Sequence, residues 1–288
     1  MTTASITDDQ LTARLVGPRP SLDHRTAIAT AGFIDIALAG VVAVGRYVVP
    51  ARRACVDSRT PMRAAGYRDA GAVSELLFGE AFDLFDCDGD WGLGRSVADR
   101  YTGWVALAAL GDLAADDHHT VTARLAPVFS TPAIKSPVIA ELPFGSRVAG
   151  VADGAFLACA GGFVHCRHLA PFTGSPLAAA RLFTGAPYLW GGRTPLGVDC
   201  SGLVQAALAA TGVAAARDSD QQCASIGTAV DFAARRSGDI VFFPGHVGIL
   251  VDADTLFHAN AHWMAVVEEP LADVVARGAE VIGVRRVS

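Results

Sequence analysis

Charge is scarce in this chain. Asp, Glu, Lys and Arg make up 18% of its 288 residues and leave a formal net charge of −6. With that sign and no basic stripe, composition argues against a nucleic-acid partner. A hydrophobic share of 51% argues equally against disorder, and the length suits two or three domains. The six cysteines (Cys55, Cys87, Cys159, Cys166, Cys200, Cys223) show no framework spacing in so long a chain. That argues against a disulfide scaffold and suits a reducing compartment. No basic stretch opens the sequence, where Asp8 and Asp9 stand instead, so no secretory leader is expected and the protein is read as cytoplasmic. Residues 26–45 are apolar enough to suggest a membrane span, but Asp35 interrupts them at a cost of about 2.5–3.5 kcal/mol, so no membrane segment is expected. A calcium loop at Asp86-Cys87-Asp88-Gly89-Asp90 lacks its glycine and terminal glutamate, since Trp91 and Val97 stand there. It reads as a hairpin turn.

Against this plain background Cys200 stands out. From it the chain runs C-S-G-L-V-Q-A-A-L-A-A-T-G, with Leu203, Val204, Ala207, Leu208 and Thr211 at the spacing of one buried helical face. Asp199 is a good N-cap and Gly212 a good stop. Cys200 then falls in the first turn, where unpaired amides and the dipole favour thiolate and predict a lowered pKa. His246 and His258 lie on two apolar strands around Asp252-Ala253-Asp254. Pairing centred on Asp252 sets them directly opposite each other, so that His258 can hold His246 while His246 faces the thiol. Nucleophile, base and orienter is the logic of covalent acyl hydrolysis. Two rival readings use the same residues. One is an ordinary buried cysteine; the other is a Cys/His/His zinc site, which no C-x-x-C or H-x-x-x-H spacing supports. Neither a metal nor any other cofactor is expected.

The blocks Tyr188-Leu189-Trp190-Gly191-Gly192-Arg193, Asp199-Cys200-Ser201-Gly202, Gly238-Asp239-Ile240-Val241-Phe242-Phe243, His246-Val247-Gly248-Ile249 and His258-Ala259-Asn260-Ala261 resemble the NlpC/P60 cysteine peptidases of bacterial cell-wall peptides. The resemblance is specific from about residue 174 onward. It implies an α+β, papain-like catalytic domain, often preceded by SH3-like barrels. The nearest likeness is to members that cut the γ-D-glutamyl–diaminopimelate bond of small murein peptides with a free N-terminal L-alanine. By that likeness Cys200, His246 and His258 would be catalytic. Asp199 would hold the substrate ammonium, with Tyr188, Ser201 and Ser219 nearby, and Glu80 would be the acidic residue supplied by the first barrel. Two carboxylates around one ammonium would reject an acylated amine. A thiol-dependent amidase, deamidase or acyltransferase, and a catalytically dead wall-peptide-binding module, are the alternatives.

Upstream, residues 1–50, with Pro18 and Pro20, read as an irregular lead-in that either stands alone or belongs to the first barrel. Short apolar runs separated by turn signals predict one small SH3-like barrel over 51–115 and a second over 118–170. In the second, Gly145–Val151 is expected to be one strand. Cys159, His165, Cys166 and His168 cluster there, but strand alternation sends His165 and Cys166 to opposite faces. Pro171–Pro176 is a linker, and 174–288 is the catalytic domain.

Overall fold

The computed structural model describes residues 21–42, 45–113, 118–159, 161–278 and 280–287. The acidic start, Pro18 and Pro20 lie outside them. Residues 51–111 form a seven-stranded antiparallel barrel in the order 72–77, 59–63, 102–106, 91–96, 81–88, 51–55, 110–111. Alternation builds its core. Along Arg59–Arg63, Thr60 and Met62 point inward, and Met62 meets Cys55, Leu76, Phe82 and Val105. The acidic run makes the expected hairpin, with Asp88 paired to Trp91 and Gly89 at φ +54°. The lead-in packs on this barrel: Ile28 and Phe33 meet Phe85, and Ile34–Asp35 pairs with Tyr47–Val48. Asp35, which breaks the apolar run, is buried in an ion pair with Arg95 at 2.7 Å. Among the described residues no helix is long and apolar enough to cross a membrane.

The second barrel joins a five-stranded sheet (138–143, 125–129, 162–165, 156–159, 151–153) to a pair made by 118–120 and 147–149. The single strand expected over Gly145–Val151 is broken in two. Its halves, Arg147–Ala149 and Val151–Asp153, belong to different sheets. Gly150 makes the passage, where a Cβ would lie 2.1 Å from the Ala158 carbonyl oxygen.

The C-terminal domain begins with helix α1 (Pro176–Ala180), capped by Ser175, whose Oγ accepts from the Ala178 amide. Helices α2 (Cys200–Ala209), α3 (Ser219–Ser225) and α4 (Leu271–Ala276) follow in the chain. Its sheet contains β1 (Thr228–Ala229), β2 (Ile240–Phe243), β3 (His246–Leu250), β4 (Thr255–Asn260), β5 (Ala265–Pro270) and β6 (Gly283–Arg286), ordered β1-β6-β2-β3-β4-β5. Helix α2 begins at Cys200 and ends before Gly212, which takes φ +79°. The sheet's two faces bury different partners. Ile240, Phe242, Val247, Ile249, Phe257 and Ala259 pack with Leu203, Val204, Ala207 and Leu208 of α2. Val241, Phe243, Leu250 and Leu256 pack with Leu271 and Val274 of α4. The protein is thus an α+β chain of two SH3-like units and a helix-on-sheet catalytic-type domain.

Buried polar contacts join the first barrel to this domain. The Arg193 guanidinium donates to both oxygens of Glu80 at 2.8 and 3.0 Å, and its backbone amide donates to Glu75. Gln205 donates to Asp99, and Arg217 to Ser74. Stranding one charge of a buried pair costs about 3–5 kcal/mol, whereas replacing both charges with apolar groups is often neutral. Arg193→Met should therefore lose about that much stability in denaturant unfolding, and Glu80→Leu/Arg193→Met should recover most of it. A single variant as stable as the parent would show that the pair does not hold the domains together.

Candidate active site

Asp199 adopts extended backbone and caps α2, its Oδ1 accepting from the Gly202 amide at 2.7 Å. This leaves Cys200 as the first helical residue, 6% exposed, in a cleft of about 240 Å³. Asp199, Ser201, Ser219, Asp218, Asp220, Trp190, Tyr101 and Arg25 share that cleft. Tyr188 packs beside the thiol, and burial, Cys200 and Asp199 together push its phenol up to about 12, so it stays protonated.

The thiol departs from the expectation of a lowered pKa. Burial, then the Asp199 carboxylate, push Cys200 up to about 11. The amides of Val247 and Ser201 and the Arg217 cation pull the other way but do not win. The helix-terminus effect is worth only about 0.3–1 kcal/mol, and desolvating a thiolate costs more. His246 is likewise neutral: burial, then His258, lower it to about 4 against the opposing Glu269 charge. Both shifts favour the uncharged forms, a thiol at Cys200 and an unprotonated imidazole at His246.

The histidine pairing is also shifted. Ile249 pairs with Phe257 and Leu250 with Leu256. Gly248, not His246, stands across from His258, and a Cβ at Gly248 would lie 3.0 Å from that of His258. The extra residue in the turn moves the centre from Asp252 to Ala253. The two imidazoles still meet, because diagonal neighbours on one face are within reach of long side chains. His246 Nε2 lies 2.7 Å from His258 Nδ1. His258 Nε2 lies in turn 2.7 Å from Oε1 of Glu269, a residue the sequence reading missed. These polar side chains occupy the α4 face of the sheet while Cys200 belongs to the α2 face. The two sets approach at the start of β3, where the Val247 amide acts on the thiol and His246 is the adjoining residue.

Asp199 and Glu80 both have charged partners within the protein. The Asp199 carboxylate is already matched by Arg217, which is 1% exposed and donates to Oδ1 at 3.0 Å and Oδ2 at 2.6 Å. The Gly191 amide also donates to it, and Ser201 Oγ donates to Oδ1 while accepting from Arg217. Asp199 and Ser201 thus join Arg217 in one hydrogen-bonded network that borders the Cys200 cleft. Glu80 is further from its expected role. Paired with Arg193, it lines a separate cavity of about 630 Å³ behind α2, together with Phe144, Phe172 and Ala206. The first barrel reaches the Cys200 cleft through Tyr101 instead, whose hydroxyl donates to Asp218 at 3.0 Å. Arg25, from the lead-in, also donates to Asp218 and to Asp220. Asp218 stands directly before Ser219 in the loop that sequence reasoning had singled out. The cue to Ser219 was the family resemblance, whereas Tyr101 and Arg25 left no local cue.

Residues 185–276 match the NlpC/P60 family, and residues 62–110 match the bacterial dipeptidyl-peptidase Sh3 domain. The C-terminal domain is an NlpC/P60 domain. The chain is 28% identical over 223 residues to dipeptidyl-peptidase 6 of Lysinibacillus sphaericus, covering 66% of this chain and 81% of that protein. It is 43% identical over 84 residues to a probable endopeptidase of Corynebacterium glutamicum, and 35% identical over 85 residues to a gamma-D-glutamyl-L-lysine dipeptidyl-peptidase of Bacillus subtilis. Those two matches cover 28% and 27% of this chain but only 40% and 28% of the relatives. In fold it resembles an NlpC/P60 family protein from Bacillus cereus at TM-score 0.70 and 19% identity, over 82% of this chain and 99% of that one.

The NlpC/P60 thiol offers a direct titration. Iodoacetamide alkylation of Cys200, followed by mass spectrometry against a Cys200→Ala control, should keep accelerating with pH up to about 10, since thiolate is the reacting form. A plateau already reached at neutral pH would mean a preformed thiolate.

Proposed function

We propose that the protein is a cysteine peptidase that hydrolyses the γ-D-glutamyl–diaminopimelate bond of small murein peptides bearing a free N-terminal L-alanine. The observation that carries this reading is the union, in one cleft, of a helix-opening thiol and an acidic wall built by Asp218 and Asp220. Names borne by relatives support the bond class, including the gamma-D-glutamyl-L-lysine dipeptidyl-peptidase. Work on released peptides inside the cell, rather than on intact wall, belongs to the same proposal.

In this mechanism His246 takes the Cys200 proton as sulfur attacks the γ-carbonyl carbon. The oxyanion meets the Cys200 backbone N–H, one of the first amides of α2 that have no intrahelical acceptor. The imidazolium returns the proton to the departing diaminopimelate amine as the C–N bond breaks. Water then hydrolyses the thioester, releasing L-Ala-D-Glu and restoring the thiol. The substrate ammonium is assigned to Asp218 and the Tyr101 hydroxyl, because Asp218 shares the partly exposed Arg25 cation with Asp23 and Asp220, whereas Asp199 is held by the buried Arg217 and Glu80 by the buried Arg193. Ser219, at the same wall, lies where the peptide would run.

The test uses L-Ala-γ-D-Glu-diaminopimelate, its N-acetyl derivative, and the Cys200→Ala and Asp218→Asn variants. Free peptide should yield L-Ala-D-Glu, and neither the acetylated peptide nor Cys200→Ala should react. Asp218→Asn should raise KM by about tenfold or more, the worth of a charge-assisted hydrogen bond, with kcat much less changed. Equal cleavage of the acetylated peptide would remove the amine assignment, and absence of any thiol-dependent cleavage would remove the peptidase.

A further inference from the structure

The polar chain on the α4 face does not stop at His258. Leu256 pairs with Glu269 and His258 with Val267, so Glu269 lies one diagonal step beyond His258, as His246 lies one step before it. His246, His258 and Glu269 form a line across β3, β4 and β5, with 2.7 Å between neighbours at each step. We propose that Glu269 is a positioning residue which sets the tautomers of both histidines, so that His246 presents an unprotonated Nδ1 to the Cys200 thiol. The proposal rests on Cys200 and His246 being nucleophile and base, and not on which peptide they cut.

Glu269 is 8% exposed and surrounded by donors. Arg277 donates to Oε1 at 2.6 Å, Asn260 to Oε1 at 3.1 Å and Trp263 to Oε2 at 3.1 Å. Burial works against ionisation, but Arg277, Trp263 and His258 outweigh it and hold the carboxyl down to about 2. An ionised carboxylate only accepts, so His258 Nε2 must carry the proton between them. Asn260 is the competing donor to Nε2, its amide oriented by the His262 N–H donating to Oδ1. That contact is longer, 3.2 Å against 2.7 Å, and a lone pair on Nε2 would face the Glu269 charge at the shorter distance. Burial keeps His258 from taking a second proton, since its pKa is lowered. Neutral His258 then offers Nδ1 as an acceptor, and His246 must donate from Nε2. What remains on His246 is the lone pair at Nδ1, the atom that must accept the thiol proton. A triad in the wrong tautomer loses up to about 10⁴-fold in rate with its geometry intact.

The charges acting on the two imidazoles are Glu269 itself and Arg277 after α4, with the His258 ring acting on His246 as well. Removing the Glu269 charge should therefore lower the His246 imidazolium pKa further. Two variants separate acceptor from charge. Glu269→Gln keeps an amide oxygen for His258 and should retain the tautomers, lose about tenfold in kcat, and move the acid limb of the kcat profile to lower pH. Glu269→Leu removes the acceptor and should lose 100-fold or more, with Cys200 alkylation by iodoacetamide slowed in step.

The deciding measurement is nitrogen-15 NMR of the imidazoles in the intact, full-length protein at neutral pH, assigned with single histidine variants. His246 and His258 should each be neutral with the proton on Nε2. His258 protonated on Nδ1 would overturn the proposal. So would a folded Glu269→Leu protein with unchanged tautomers and alkylation rate, since that is the outcome of a merely structural carboxylate. Should that variant not fold, the wild-type spectrum still decides. Alkylation and NMR need no peptide, so they can fail or succeed apart from the substrate assignment.

Discussion

One buried ion pair underlies the arrangement of the thiol. Arg217 reaches Asp199, Ser201 and the Gly192 carbonyl in the NlpC/P60 domain and Ser74 in the first barrel. Asp199 spends its other contacts on the Gly191 and Gly202 amides, which fixes both the turn before α2 and its first residue. A guanidinium suits the task because its planar donors serve several acceptors at once. The position of Cys200 and the start of α2 therefore depend on a single cation, which also helps to seat the first barrel. Its cost is desolvation, which only a complete set of partners offsets.

Burial has a second consequence at the nucleophile. It raises the thiol and lowers the imidazole, and both shifts favour the uncharged pair over the thiolate–imidazolium one. The helix terminus that marks Cys200 in the sequence is the weaker effect. In the proposed mechanism, a neutral pair makes the tautomer of the base decisive. That moves weight from the nucleophile's own surroundings to the polar line on the far face of the sheet.

Much of this was legible in the sequence because it is local. Asp199 as a cap, α2 from Cys200, the stop at Gly212 and the hairpin at Gly89 follow from residue types within a few positions of one another. The two-residue offset between His246 and His258 was not, because the turn length around Ala253 sets register and alternation alone does not. The second-barrel strand was split by a close approach at Gly150, which only the packed neighbour, Ala158, reveals. Asp199 and Glu80 were read as free charges because their partners, Arg217 and Arg193, stand apart in sequence or attract no notice as motifs. Glu269 was missed for a like reason: nothing near Pro270 marks it, and only the pairing of β4 with β5 brings it to His258.

The distribution of charge across domains explains why the barrels cannot be treated as appendages. Ser74, Glu75, Glu80 and Asp99 supply buried partners to Arg217, Arg193 and Gln205, while Tyr101 enters the cleft itself. Arg25 extends the same wall from the lead-in, its guanidinium shared among Asp23, Asp218 and Asp220. A cleft closed by residues from three segments can be shaped by changes in any of them, whereas the line His246, His258 and Glu269 lies wholly within one sheet. The cleft wall and the imidazole line are thus held by separate parts of the chain, the first by the barrel and lead-in as well as the C-terminal domain, the second by the register of β3, β4 and β5.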